Sequence, residues 1–123
     1  IDANLMVEMF RTQILPAALK HQKLMAKSLL SLRQVGGKGS AKRQEAFLKT
    51  LSEIIDRAIL LCDQLQRARD AAAKLDGEAR AKAYSGAVLD KAEALRAVVD
   101  ELEGMVDDEL WPIPKYRELL FFV

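Results

Sequence analysis

His21 and Cys62 occur once each in this 123-residue chain, and they are its natural candidates for acid–base or nucleophilic chemistry. A cysteine nucleophile needs a nearby base, and His21 is the only histidine that could serve. The two sit in different settings. His21 follows Lys20 in a basic stretch, which suits a partly exposed, hydrogen-bonding role. Cys62 falls on an apolar seam, where a buried, inert thiol is expected. No Glu-x-x-His pair occurs, so the ligands of a di-iron carboxylate bundle are missing.

Two further stretches carry groups of a suitable type. "GGKGS" at 36–40 offers backbone N–H groups and a lysine. A phosphate-binding loop, however, follows a strand and has Ser or Thr after its lysine. Here a helical stretch precedes the glycines and Gly39 follows Lys38, so a solvated turn is expected. Asp100, Glu101, Glu103, Asp107, Asp108 and Glu109 form an acidic run without a base among them. Asp100, Glu103 and Asp107 would share a helix face and could meet a divalent cation. The run lacks the glycine turn of a calcium loop, and a salt-bridged face is expected instead. From these residues no catalytic, cofactor-binding or metal-ligating site is expected.

Charge narrows the partners. Net charge is +1, but residues 1–44 hold eight basic and two acidic side chains, and residues 77–110 hold four and nine. A large acidic face and no aromatics interleaved with the basic ones speak against nucleic acid. The apolar runs are too short to span a membrane. One cysteine allows no internal disulfide, and no signal-peptide pattern opens the chain, so a cytoplasmic location is expected.

The elements that carry these residues are helical. Leu5, Met9, Leu15, Leu19, Met25, Leu29 and Leu32 mark a first helix over about 3–32, with a kink expected at Pro16. "VGGKGS" at 35–40 ends it. Leu48, Leu51, Ile55, Ala58, Cys62 and Leu65 mark a second helix over about 41–75. Gly77 can adopt the left-handed conformation that stops it. Val88, Ala92, Leu95, Val99, Leu102 and Val106 mark a third over about 78–110, with Gly86 and Gly104 inside it and Pro112 ending it. No stretch alternates with period two. The expected fold is all-α, an up-down-up bundle of three long helices kinked at Pro16, in one domain spanning 1–123. In it, helices one and three run parallel. The acidic end of the third is then expected beside Lys20, Lys23, Lys27 and Arg33, because negative charge at a helix C-terminus calls for a basic neighbour.

The chain ends in "WPIPKYRELLFFV", and four of its seven aromatic residues lie in these 13 positions. Disordered tails are polar, so this segment is expected to dock. Its candidate docking residues are Trp111, Pro112, Pro114, Tyr116, Leu119, Leu120 and Phe121. The opening, with a helical pattern directly from Ile1, reads as a piece of a longer chain whose missing part is N-terminal.

The two ends, "IDANLMVEMFRTQILPAALKHQ" and "VDELEGMVDDELWPIPKYRELLFFV", resemble the C-terminal region of type III glutamine synthetases. The matching positions are Arg11, Ile14, Leu15, Pro16 and Ala17 in an R-x-x-I-L-P-A pattern. The closing pattern W-P-x-P-x-Y-x-x-L-L-F takes in Trp111, Pro112, Pro114, Tyr116, Leu119, Leu120 and Phe121. Residues 23–98 match only in helical character. The resemblance implies a parent enzyme that joins ammonia to glutamate with ATP and divalent metal, through a γ-glutamyl phosphate, in nitrogen assimilation. The family's metal and phosphate ligands belong to a catalytic domain, and none maps onto this segment. The implied role is a non-catalytic structural or interaction domain, with its own catalytic domain and neighbouring subunits of a ring-shaped oligomer as partners. An independent helical adaptor, binding a protein through its aromatic tail, is the alternative reading.

Overall fold

The computed structural model of the chain describes residues 2–112. Among them every regular element is helical and no strand occurs. Three rods account for the chain. The first joins α1 (Ala3–Met9) to α2 (Leu15–Gly36) through a π-helical turn at Phe10–Ile14. The second is α3 (Lys42–Ala73). The third joins α4 (Gly77–Ala83) to α5 (Leu89–Glu103) through a second π turn at Tyr84–Val88.

Local chemistry explains most of the boundaries. Asp2 caps α1, its Oδ1 accepting the Leu5 N–H at 3.0 Å. At the π turn the Leu15 N–H reaches the Phe10 carbonyl, five residues back. Pro16, which has no N–H to give, then enters the first turn of α2. The wider turn suits a ring that would crowd the Thr12 carbonyl in a regular helix. Gly37, at φ 87°, ends α2 and returns its N–H to Arg33 O at 2.8 Å. Ala41 enters α3 in the left-handed region, at φ 57°. Gly77 takes the left-handed conformation expected of it, at φ 56°.

The core runs along α3. Leu51, Ile55, Ala58, Cys62 and Leu65 are fully enclosed, as their spacing predicts, and Ile54 and Ala72 join them. α5 adds Leu95, Val98 and Leu102, preceded by Val88 and followed by Val106. Burying each of the larger aliphatic groups contributes about 1.5–3 kcal/mol. The two helices are joined across their surface by Arg57–Glu101 at 3.0 Å and Lys91–Gln64 at 2.9 Å. The first rod is held to α3 by Arg11–Asp63 at 2.9 Å and Arg33–Glu45 at 2.6 Å.

Two expectations fail. The buried face of the first rod is Val7, Phe10, Ile14, Ala17, Ala18 and Leu29, whereas Leu5, Leu19 and Leu32 are exposed. The π turn adds a residue to the helical repeat and so rotates the inward face of everything after it. The third rod ends at Glu103, with Gly104 as its cap, rather than at Leu110. Glycine is a poor helix residue, and the acids that follow oppose the helix dipole. Beyond it the chain closes short turns, Val106 N–H to Leu102 O and Trp111 N–H to Asp107 O.

Candidate functional site

Cys62 sits on the buried side of α3, 1% exposed. Burial pushes its thiol above the ordinary value, the Asp63 carboxylate adds to that, and the Arg11 and Arg69 guanidinium groups offset part of it. A thiol held protonated in the core is a weak nucleophile. His21 is not among the groups acting on it. It stands beside the acidic run, where its Nδ1 accepts the Asp107 backbone N–H at 3.3 Å. That is the partly exposed hydrogen-bonding role its setting suggested.

The glycine turn is equally plain. Ser40 Oγ donates to Gly37 O at 2.7 Å, and Lys38, Lys42 and Arg43 lie exposed around it. The acids do not share one face, because the helix ends between Glu103 and Asp107. Among the described residues no group of three or more His, Cys, Asp or Glu side chains is placed to hold a metal ion.

The charge pairing is only partly as expected. The His21–Asp107 hydrogen bond brings the acidic end of the third rod to the first rod, next to Lys20. Glu101, however, pairs with Arg57 of α3. Arg33 lies in the last turn of α2, near the glycine turn, and binds Glu45 instead. The third rod stops too early to reach it. Glu45 is held below its ordinary value of 4.5 by the Arg33 hydrogen bond and charge, with Lys49 adding to the effect.

Of the candidate docking residues, Trp111 is buried, 6% exposed, within the same apolar cluster as α3 and α5, and Pro112 is exposed. Pro114, Tyr116, Leu119, Leu120 and Phe121 lie outside the described residues.

The sequence reading missed a groove between the first and third rods. It has a volume of about 600 Å³. Met6, Met9, Phe10 and Ile14 form one wall, with Ala92 and Val99 opposite. Glu93, Arg96, Asp100 and Glu103 stand along it. The signal was present in Met6, Phe10 and Ile14, spaced four apart, but the leucines of the same stretch masked it.

The class these features define is an all-helical chain with an apolar groove and, among its described residues, no assembled catalytic or metal-ligating cluster. No family model matches it. It is similar to a glutamine synthetase of Bacteroides fragilis and to a type-3 glutamine synthetase of Dictyostelium discoideum, 29% identical to each over 126 residues. Each match takes in 98% of this chain, which spans 17% of the length of each relative. The resemblance to type III glutamine synthetases carried by the two ends of the chain therefore extends across its middle.

Proposed function

We propose that this chain is a structural and interaction domain of a type III-like glutamine synthetase, taking no direct part in the chemistry. The parent would join ammonia to glutamate with ATP and a divalent metal. The observation that carries this reading is the match along 98% of the chain to two glutamine synthetases several times its length. A buried thiol, a histidine engaged by backbone and a solvated glycine turn support a role by contact. In this reading the rods form an up-down-up bundle bent at Pro16. The reversed order of Arg11–Asp63 and Arg33–Glu45, and of Arg57–Glu101 and Gln64–Lys91, supports that arrangement. So does the π turn just before the proline. The domain's partners are its own catalytic domain and neighbouring subunits.

The test uses the longer chain that carries this segment, with and without it. Glutamine formation and mass in solution are measured for both. The reading expects synthesis by the longer chain and an altered assembly when the segment is removed. The segment alone should form no glutamine and show no saturable micromolar binding of ATP or Mn²⁺ by calorimetry. A longer chain without synthetase activity, or saturable nucleotide binding by the segment, would overturn it.

A further inference from the structure

The groove between the first and third rods is too apolar to be left to solvent. Its walls hold Met6, Met9, Phe10 and Ile14 on one side and Val99 on the other. We infer that residues 113–123, the end of this same chain, occupy it as an intramolecular fourth segment. This deepens the reading of the tail as a docking element and rests on it.

Position supports this occupant. The Asp107 N–H bonds His21, and seven residues back along the same rod is Ile14, at the groove, a rise of about 10 Å. Trp111 turns back into the core, its N–H on Asp107 O. The remaining eleven residues therefore start close to the Glu103 end of the groove. Eleven residues cover about 16 Å as a helix and up to about 36–40 Å extended. The groove-lining stretch of α5, from Leu89 to Glu103, is about 21 Å long.

Composition fits as well. Leu119, Leu120, Phe121, Phe122 and Val123 are consecutive apolar residues that water would not hold in the open. Ahead of them stand Lys115 and Arg117 with Glu118, a net positive stretch. The groove bears three carboxylates, Glu93, Asp100 and Glu103, and one guanidinium, Arg96. The signs match. A segment tethered this close also acts at an effective concentration of order millimolar, which favours it over the same segment of a second copy at ordinary protein concentration.

Methionine oxidation reads occupancy directly. Met6 and Met9 line the groove, whereas Met25 lies away from it and serves as an internal reference. The intact 123-residue chain is treated with dilute peroxide beside the variant Leu119→Asp/Leu120→Asp/Phe121→Asp, and peptides are quantified by mass spectrometry. Circular dichroism checks that both retain their helix. The expected result is oxidation of Met6 and Met9 at least about three-fold faster in the variant, relative to Met25. Val99→Glu, which charges the groove and leaves the tail intact, should give the same acceleration. Equal rates in all three chains would overturn the inference. So would protection that disappears on dilution, which would mark a second copy, or protection found only in the longer parent chain. Glutamine formation does not enter this readout, so the groove assignment and the parent's activity can fail separately.

Discussion

Replacing Trp111 by alanine removes the largest side chain of the core, and the size of the loss follows from its burial. Trp111 is 6% exposed and belongs to the cluster built on α3 and α5. A buried tryptophan hides about 200 Å². At about 25 cal/mol per Å² that is about 5 kcal/mol, reduced to about 3–4.5 kcal/mol because an unfolded chain already buries part of it. The cavity left behind adds to the cost, so Trp111→Ala should destabilise the chain by about 3–5 kcal/mol. For 123 residues the unfolding entropy is about 260 cal/mol/K, and a loss of about 4 kcal/mol lowers Tm by about 15 °C. Urea titration followed by circular dichroism measures the loss without needing the indole. Trp111→Phe, which keeps a ring in place, should lose about half as much or less. Trp111 is the only tryptophan, so the unsubstituted chain's emission reports its surroundings alone. A loss under about 1 kcal/mol, with emission already solvent-like before substitution, would refute the placement of this residue in the core.

Cys62 should resist a thiol reagent such as DTNB in the folded protein and react fully once unfolded, since it is buried and its thiol is held protonated; fast native-state labelling would contradict this. Glu45 has a folded value below its ordinary 4.5, so its pairing with Arg33 stabilises the fold fully above that range and less as pH falls through the lower, folded value. The stability difference between the unsubstituted chain and Glu45→Gln should therefore shrink on acidification to about pH 3, as denaturant midpoints would show. Gly86 lies in the second π turn, has no positive φ, and a Cβ there meets nothing within 4 Å. Gly86→Ala should raise stability by about 0.5–1 kcal/mol, read as a higher Tm.

How much of this was legible depended on whether periodicity ran unbroken. α3 is one continuous helix, and its seam of Leu51, Ile55, Ala58, Cys62 and Leu65 is the seam that folds inward. The third rod also kept Val88, Leu95, Leu102 and Val106 inside, although a π turn lies at its start. That turn comes before the seam and cannot shift it. In the first rod the π turn falls in the middle. Leucines at 5, 19 and 32 look like one stripe on an ideal helix and lie outward on the real one. Leu24 and Leu30 are exposed as well, so leucine is not a marker of the core in α2. Pro16 was the visible sign of a disturbance there, but an α-helical wheel has no place for an added residue.

The groove was hidden for the same reason, and the charge pattern for a different one. Met6, Phe10 and Ile14 form a wall only once the first rod is given its true phase, with Val99 brought opposite by the third. The acidic run was expected to be neutralised along the length of the first helix. That expectation assumed a third helix reaching Leu110. Gly104 ends it seven residues earlier. The run is thereby divided. Asp100 and Glu103 remain on the helix and stand along the groove, Glu101 turns to Arg57, and Asp107 presents its backbone N–H to His21. Arg33 is left to pair with Glu45 near the glycine turn. A single glycine thus decides which acids border the groove and which tie the rods together. If the chain's own basic, apolar end is the groove's occupant, the placement of Gly104 also sets where that end begins its return.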